Sequence, residues 1–410
     1  MKTVGIIVEY NPLHNGHVLH YTQSKAITGA DSVIAVMSGP FLQRGEPALV
    51  GKRARTEMAL RMGADLVIEL PTAYAVQPAE WFAHGAVALL AATGVVDSLC
   101  FGSESGSLDT LLPLADSLAE ESEKLREEIA LRMSSGISFP NAYAAAAAAV
   151  SGSKASADTI AEQLAKPNNS LGLHYLIALK RLGSEIVPYT IPRKGAQYHD
   201  QVPAVSSIAS ATSVRRLILE QGLEAASPYI PGYVYEILRR EFDAGQGPND
   251  WESFRLPLFH ALLTRSPGEL DQLHEVSEGL EYRIQKVLPL LGEPKVGQLI
   301  DALKTKRYTR TKLQRMLLHI LLNHAKGEMT REQLAQGPGY LRVLGFTSKG
   351  QALLKQMKKT ASLPVIMKPS VLDHPQLRLD LQASAVYGNA CPRPSVSFIY
   401  GDYLLPPVTL

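Results

Sequence analysis

Four short apolar runs, residues 3–9, 32–37, 66–70 and 98–102, punctuate the first hundred positions. Each has the length and composition of a strand buried in a parallel sheet. Between them, residues 17–27, 51–62 and 79–93 have helical character, with Gly63-Ala64-Asp65 closing the second helix before the third strand. Strand and helix in alternation, joined by short connections, predict an α/β unit with a parallel sheet. Helical periodicity then runs through 108–182, including the alanine run 144–149, and a further strand is expected at 185–189. Ser210-Ala211-Thr212 has the form of an N-cap opening a helix through Glu220.

The pattern changes at Ala225-Ala226-Ser227-Pro228-Tyr229-Ile230-Pro231-Gly232, and Gly245-Gln246-Gly247-Pro248-Asn249-Asp250 adds a second break. Two domains are expected, 1–225 and 226–410. The second is mainly helical from 251 to about 359, with Leu313, Leu317, Ile320 and Leu321 on one apolar stripe. The Pro-rich last forty residues contain β-like runs such as 395–400 and predict a strand or extended tail packed on another domain.

Composition narrows the class. The chain has 410 residues, 46% hydrophobic and 20% charged, with a net charge of +2. That is the profile of an ordinary globular protein large enough for two cores. Two cysteines, Cys100 and Cys391, make neither a disulfide framework nor a Cys-rich zinc site, which fits a reducing cytoplasm. No stretch approaches the roughly twenty apolar residues of a membrane span, and the N-terminus lacks a signal h-region, so no membrane partner is expected.

The chemistry concentrates where the first strand gives way to the first helix, at His14-Asn15-Gly16-His17. A helix start offers unpaired N–H groups and a positive dipole end, so phosphates gather there. Two imidazoles three residues apart share one face of the first turn and can donate to phosphate oxygens, and Gly16 allows close approach of the backbone. The arrangement suits in-line attack at the α-phosphate of a nucleotide. Just upstream, Asn11 in the turn Glu9-Tyr10-Asn11-Pro12 either donates to a ligand or holds its own backbone.

Other candidates lie at the carboxyl ends of the strands, the edge where open α/β sheets bind ligands. After the second strand, Gln43, Arg44 and Glu46 are possible substrate contacts, with an Arg44–Glu46 surface pair as the alternative. Gly102 follows the fourth strand in Cys100-Phe101-Gly102-Ser103-Glu104 and permits a base or ribose to approach. In Pro167-Asn168-Asn169, one asparagine is expected to cap a helix and the other to contact nucleotide. Arg193-Lys194-Gly195-Ala196-Gln197-Tyr198-His199-Asp200 is a candidate phosphate clamp.

Ser210-Ala211-Thr212-Ser213-Val214-Arg215 adds hydroxyls and a guanidinium at a second helix start. Far downstream, Lys304, Lys306, Arg307, Arg310, Lys312 and Arg315 surround Tyr308, with no acid until Glu328. Such a run suits an RNA backbone, with the tyrosine available for stacking, or forms a solvated helix face. Lys355, Lys358 and Lys359 extend the basic character.

Taken in order, residues 5–17, 37–48, 101–104, 167–169, 198–200, 210–215 and 306–310 resemble the bacterial tRNA(Met) cytidine acetate ligase family. The resemblance implies a Rossmann-like HxGH nucleotidyltransferase domain followed by a mainly helical, basic, tRNA-binding domain. It implies adenylation of acetate with ATP and transfer of the acetyl group to the wobble cytidine of elongator tRNA(Met), giving N4-acetylcytidine. By the same resemblance, His14 and His17 stabilise the adenylyl-transfer transition state. The ATP loop comprises Ile7, Val8, Glu9, Tyr10, Asn11, Pro12, Leu13, His14, Asn15, Gly16, His17, Val18, Leu19 and His20. Gly102, Asn168, Asn169, Arg193, Lys194, Ser210, Thr212 and Arg215 complete nucleotide binding. The late motif is similar to the I-S-S-T-x-I-R pattern of HxGH nucleotidyltransferases, with Ala211 in place of the second serine. Two further departures are Leu13, where relatives carry an aromatic, and His174, where an acidic residue is expected.

Mg2+ is expected with the triphosphate, although no protein ligand set for it is visible. Two rival functions remain at this level. A small-molecule adenylyltransferase of cofactor biosynthesis shares both motifs but needs no basic helical domain. A non-catalytic RNA-binding protein has no use for an intact HxGH tetrad.

Overall fold

Side chains along β2 (Ser32–Ser38) alternate between two cores, Ile34 and Val36 joining one apolar cluster and Val33, Ala35 and Met37 the other. A strand buried on both faces belongs inside a sheet covered by helices on each side. β1 (Thr3–Val8) lies parallel to it, with Thr3 opposite Ser32 and Val8 opposite Met37. β3 (Leu66–Leu70) pairs with β2, β4 (Ser98–Ser103) with β1 and β5 (Val187–Pro192) with β4, all in parallel. The computed structural model describes residues 1–120, 122–150, 157–193 and 208–410.

The first four strands lie where the apolar runs place them, and the fifth begins two residues later than expected. β6 (Leu341–Phe346) runs antiparallel to β3, so the sheet is mixed rather than wholly parallel. β7 (Val365–Ile366) and β8 (Val408–Thr409) both pair with β6, giving the order β5-β4-β1-β2-β3-β6-β7 with β8 also on β6. The sheet therefore draws three strands from beyond residue 226. The segment holding β6 reads as helical by periodicity, because a six-residue apolar run is too short to separate strand from helix. The tail differs too. Residues 396–399 form a short helix capped by Ser395, whose hydroxyl accepts from the Phe398 N–H at 3.2 Å, and the tail's strand is β8.

On one face, α1 (Asn15–Thr28) and α2 (Lys52–Met62) pack with helices Ala211–Gln221 and Gly232–Asp243. On the other, helices Ala79–Ala92, Leu111–Ala119 and Pro167–Arg181 pack together, and their core continues into helices Arg255–Thr264, Val296–Leu303 and Arg310–Leu321. Among the described residues, no helix is long and apolar enough to cross a membrane.

Two buried polar devices fix the loops at the strand ends. Arg55, fully buried in α2, donates to the carbonyls of Glu9 at 2.8 Å, Ser38 at 3.0 Å, Val50 at 3.2 Å and Gly39. A guanidinium has five donors and no acceptor, so it can hold the ends of β1 and β2 at once. Nearby, Lys52 and Arg342 each pair with both Glu69 and Asp402, at 2.7–3.1 Å. These four groups join α2, β3, β6 and the tail, and a buried charge is tolerated only when paired in this way.

Candidate active site

The first helix is capped by its own histidines. The Gly16 N–H donates to His14 Nδ1 at 3.0 Å, and the His14 N–H donates to His17 Nδ1 at 3.2 Å. Both Nδ1 atoms thus accept, which fixes each neutral ring with its proton on Nε2. The rings lie 3.9 Å apart, and Tyr10 sets its ring edge-on to His17 at 5.1 Å. Burial, with Arg193 and Arg215 nearby, pushes His14 down to about 4. Burial beside His14, His20 and Arg193 holds His17 well below its ordinary value. No acidic residue occupies the first turn of α1, so the positive end of the helix is left for an anion. Gly16 makes room for the His14 ring, since a Cβ there would lie 2.8 Å from His14 Cε1.

The second motif arrives at the same place. Ser210 caps helix Ala211–Gln221, its hydroxyl accepting from the Ser213 N–H at 3.1 Å. Arg215 donates to the Asn11 carbonyl at 2.9 Å, to Glu46 Oε2 at 3.0 Å and to Thr212 Oγ1 at 3.4 Å. Glu46 therefore pairs with Arg215, while Arg44 is exposed. A Cβ on Gly16 would also lie 3.6 Å from Ile208, which places the lead-in of the second motif over the first. The buried Asn11 side chain accepts from the Leu49 N–H at 2.7 Å, and its Nδ2 is buried with no hydrogen-bond partner among the described residues. Glu9 accepts from the Gln43 N–H at 2.8 Å, and burial raises its carboxyl above the usual range. Ile7, Val8, Tyr10, Pro12 and Leu13 form the wall behind the loop, with Leu13 and Tyr10 buried in the core. Asn15 donates to the Pro228 carbonyl at 3.1 Å, and Val18, Leu19 and His20 continue along the half-buried α1.

A third cluster follows β4. Glu104 accepts from the Asn168 N–H at 3.1 Å, from Asn168 Nδ2 at 2.6 Å and from the Asn169 N–H at 2.7 Å. The start of helix Pro167–Arg181 is thus capped by a carboxylate from another element rather than by its own asparagines. Asn169 is buried, its side chain accepting from the Ser105 N–H at 3.0 Å and donating to the Gln163 carbonyl at 3.1 Å. Asn168 bridges to Arg193, which donates to its Oδ1 at 2.6 Å. A Cβ on Gly102 would lie 2.9 Å from Arg193 Cγ and 3.9 Å from His20, so these three residues are neighbours. Burial, with Arg193 nearby, pushes His20 down to about 4. Lys194 and His199 lie outside the described residues. The roles of Glu104 and Glu46 escape a reading by spacing, because each partner lies far along the chain.

The basic run is divided. Lys304, Lys306, Arg307 and Arg310 are exposed, with Arg310 held on Asp301 at 2.7 Å and Arg307 on Glu278. Tyr308 is half-buried and its hydroxyl donates to the Glu278 carbonyl. Lys312 and the buried Arg315 turn inward onto Glu275, at 3.3 and 2.8 Å. Gln314 reaches Glu46 at 3.5 Å, and a Cβ on Gly45 would strike the Arg315 backbone, so helix Arg310–Leu321 packs directly on the loop after β2. His174 is buried against Tyr143, 5.2 Å between rings.

Comparison with known proteins agrees with this geometry. The family model described as HIGH Nucleotidyl Transferase matches residues 1–398. A tRNA(Met) cytidine acetate ligase of Caldanaerobacter subterraneus subsp. tengcongensis is 43% identical over 94% of this chain and 95% of its own. The Bacillus licheniformis protein of the same name is 42% identical over 100% of this chain and 97% of its own. Among solved structures, Thermotoga maritima TmcAL bound with alpha-thio ATP superposes with a TM-score of 0.90 at 35% identity, covering 100% of both chains.

Proposed function

Because the chain belongs to the tRNA(Met) cytidine acetate ligase family of HIGH nucleotidyl transferases, we infer that it is an ATP-dependent ligase. It activates acetate as acetyl-adenylate and acetylates the wobble cytidine of elongator tRNA(Met). In the first step an acetate oxygen attacks the α-phosphorus of ATP, and the bond to pyrophosphate breaks. In the second, the exocyclic amine attacks the acetyl carbonyl, AMP leaves and the amine gives up a proton. The cytosine amine is a poor nucleophile, so the mixed anhydride supplies driving force while the protein supplies proximity and excludes water.

The observation that carries this assignment is the reciprocal His14–His17 cap, which leaves two neutral imidazoles with Nε2–H donors at an uncompensated helix start. Such donors meet charge that grows on phosphate oxygens in the transition state without needing a proton from solution. Arg215, with Ser210 and Thr212, is the partner for the β- and γ-phosphates. Gly102, Asn168, Asn169 and Arg193 line the nucleoside side. Among the described residues, the one group of metal-ligating side chains close enough to hold an ion contains none of these residues. Mg2+ would accordingly be carried on phosphate oxygens and water. The exposed Lys304, Lys306, Arg307 and Arg310 supply the sequence-independent hold on the tRNA backbone. The helices between residues 251 and 335 thus serve as the tRNA-binding part, and residues 1–225, whose sheet is completed by β6–β8, as the part that activates acetate.

The test is transfer of labelled acetate to an elongator tRNA(Met) transcript. Label is expected only with ATP, native His17 and the wobble cytidine. Label that survives His17→Ala, or that reaches a transcript with uridine at that position, overturns the assignment.

A further inference from the structure

Between the nucleotidyl transferase fold and the helical region lies a partly buried cluster with no part in the chemistry above. His274, Glu275 and His319 each offer one ligand atom, and these atoms lie within 4.8 Å of one another. His319 is fully buried and its Nε2 has no hydrogen-bond partner among the described residues. Its Nδ1 lies 3.1 Å from Nδ1 of His324, which is also fully buried. Leaving an imidazole nitrogen dry and unpaired is costly, so a buried orphan on a ring that lies beside two further donors points to a missing partner. Glu275 takes a left-handed backbone at φ +61, uncommon for a residue with a side chain.

We propose that His274, Glu275 and His319 form a binding site for one divalent transition-metal ion of the zinc class. Two imidazoles and a carboxylate are the borderline N/O donor set that Zn2+ prefers, leaving one position for water. The surroundings supply the usual outer support. With His319 ligating through Nε2, its Nδ1–H donates to His324, the bond that orients a metal-bound imidazole. Arg315 stays on Glu275 Oε1 at 2.8 Å while Oε2, 3.3 Å from Lys312, turns to the ion. Gln77, 3.3 Å from His274, belongs to the first fold, so the ion would pin the helical region to the loops that carry the active site.

The proposal is independent of the ligase assignment, and its test reads metal rather than activity. Tag-free protein is stripped with a chelator, given Zn2+, desalted and analysed for metal, with Co2+ as a second probe read by visible absorption. One Zn2+ per chain and a Co2+ spectrum of low coordination number are expected. His274→Gln and Glu275→Gln should weaken Zn2+ by roughly 100-fold or more, and His324→Gln by roughly 10-fold. Both ligand variants alter half-buried positions and keep size and polarity, and circular dichroism checks that they fold. Uptake no greater than in chelator-washed blanks, or uptake equal in wild type and both variants, overturns the site.

Discussion

Arg215 donates to the main-chain carbonyl of Asn11 at 2.9 Å, across a separation of 204 residues. One guanidinium thereby holds the loop before the first helix to the start of a helix late in the same fold. Arg215→Lys keeps the charge but loses the fork that serves Asn11, Glu46 and Thr212 together. A hydrogen bond to a charged group contributes about 1.5–3 kcal/mol, so kcat/KM for ATP should fall roughly 10- to 100-fold. Pyrophosphate release in the presence of acetate measures it.

Gly16→Ala tests the space reserved for the His14 ring. The new methyl would sit 2.8 Å from His14 Cε1, and the ring must turn away from its partner. Adenylation should drop by roughly 10-fold or more, since catalysis depends on sub-ångström placement. The melting temperature should move by only a few degrees. A variant with unchanged kcat would show that the ring position is not critical.

Acid should destabilise the protein through the same residue. His14 titrates at about 4 when folded, against an ordinary 6.5, so between those values the unfolded chain binds a proton that the folded one does not. Stability is then fully present above about pH 6.5 and is lost progressively as the pH falls toward 4, on the order of 3 kcal/mol from this group. His20 and His174 shift the same way because of burial and steepen the profile. His14→Gln removes one share of the slope, which denaturant unfolding at pH 7.5, 5.5 and 4.5 would reveal. Equal slopes for wild type and variant would refute the assignment to His14.

Much of this was legible in the chain because the motifs are local. His14, Gly16 and His17 act within one turn, and Ser210 caps the helix that carries Arg215, so spacing alone places them. Long-range partners were not legible. Glu104 caps the start of helix Pro167–Arg181 through the N–H of Asn168, 64 residues later, and nothing in either segment announces the other. Arg315 belongs to a basic run by composition, yet it is buried because Glu275, 40 residues earlier, meets it inside. β6 was hidden for a similar reason, since only the open edge of β3 makes a strand of that short apolar run.

Charge reversal on the exposed side of that run separates RNA binding from adenylation. Lys304→Glu with Lys306→Glu should weaken tRNA binding by at least about 10-fold and lower the salt slope by roughly one unit per lost phosphate contact. Pyrophosphate release with ATP and acetate alone should be unchanged. Filter binding at several salt concentrations decides it, and tRNA affinity equal to wild type would move the RNA surface elsewhere.

The antiparallel seam between β3 and β6 has a consequence during synthesis. β3 ends at Leu70, and the strand that covers its edge begins at Leu341, so the ribosome must deliver about 270 further residues before the seam can close. At roughly 5–20 residues per second, that edge waits for tens of seconds on the nascent chain. An open strand edge is a template for pairing with other chains. Premature stops before Leu341 therefore release a protein that carries both active-site histidines yet has a sheet ready to stick to its neighbours.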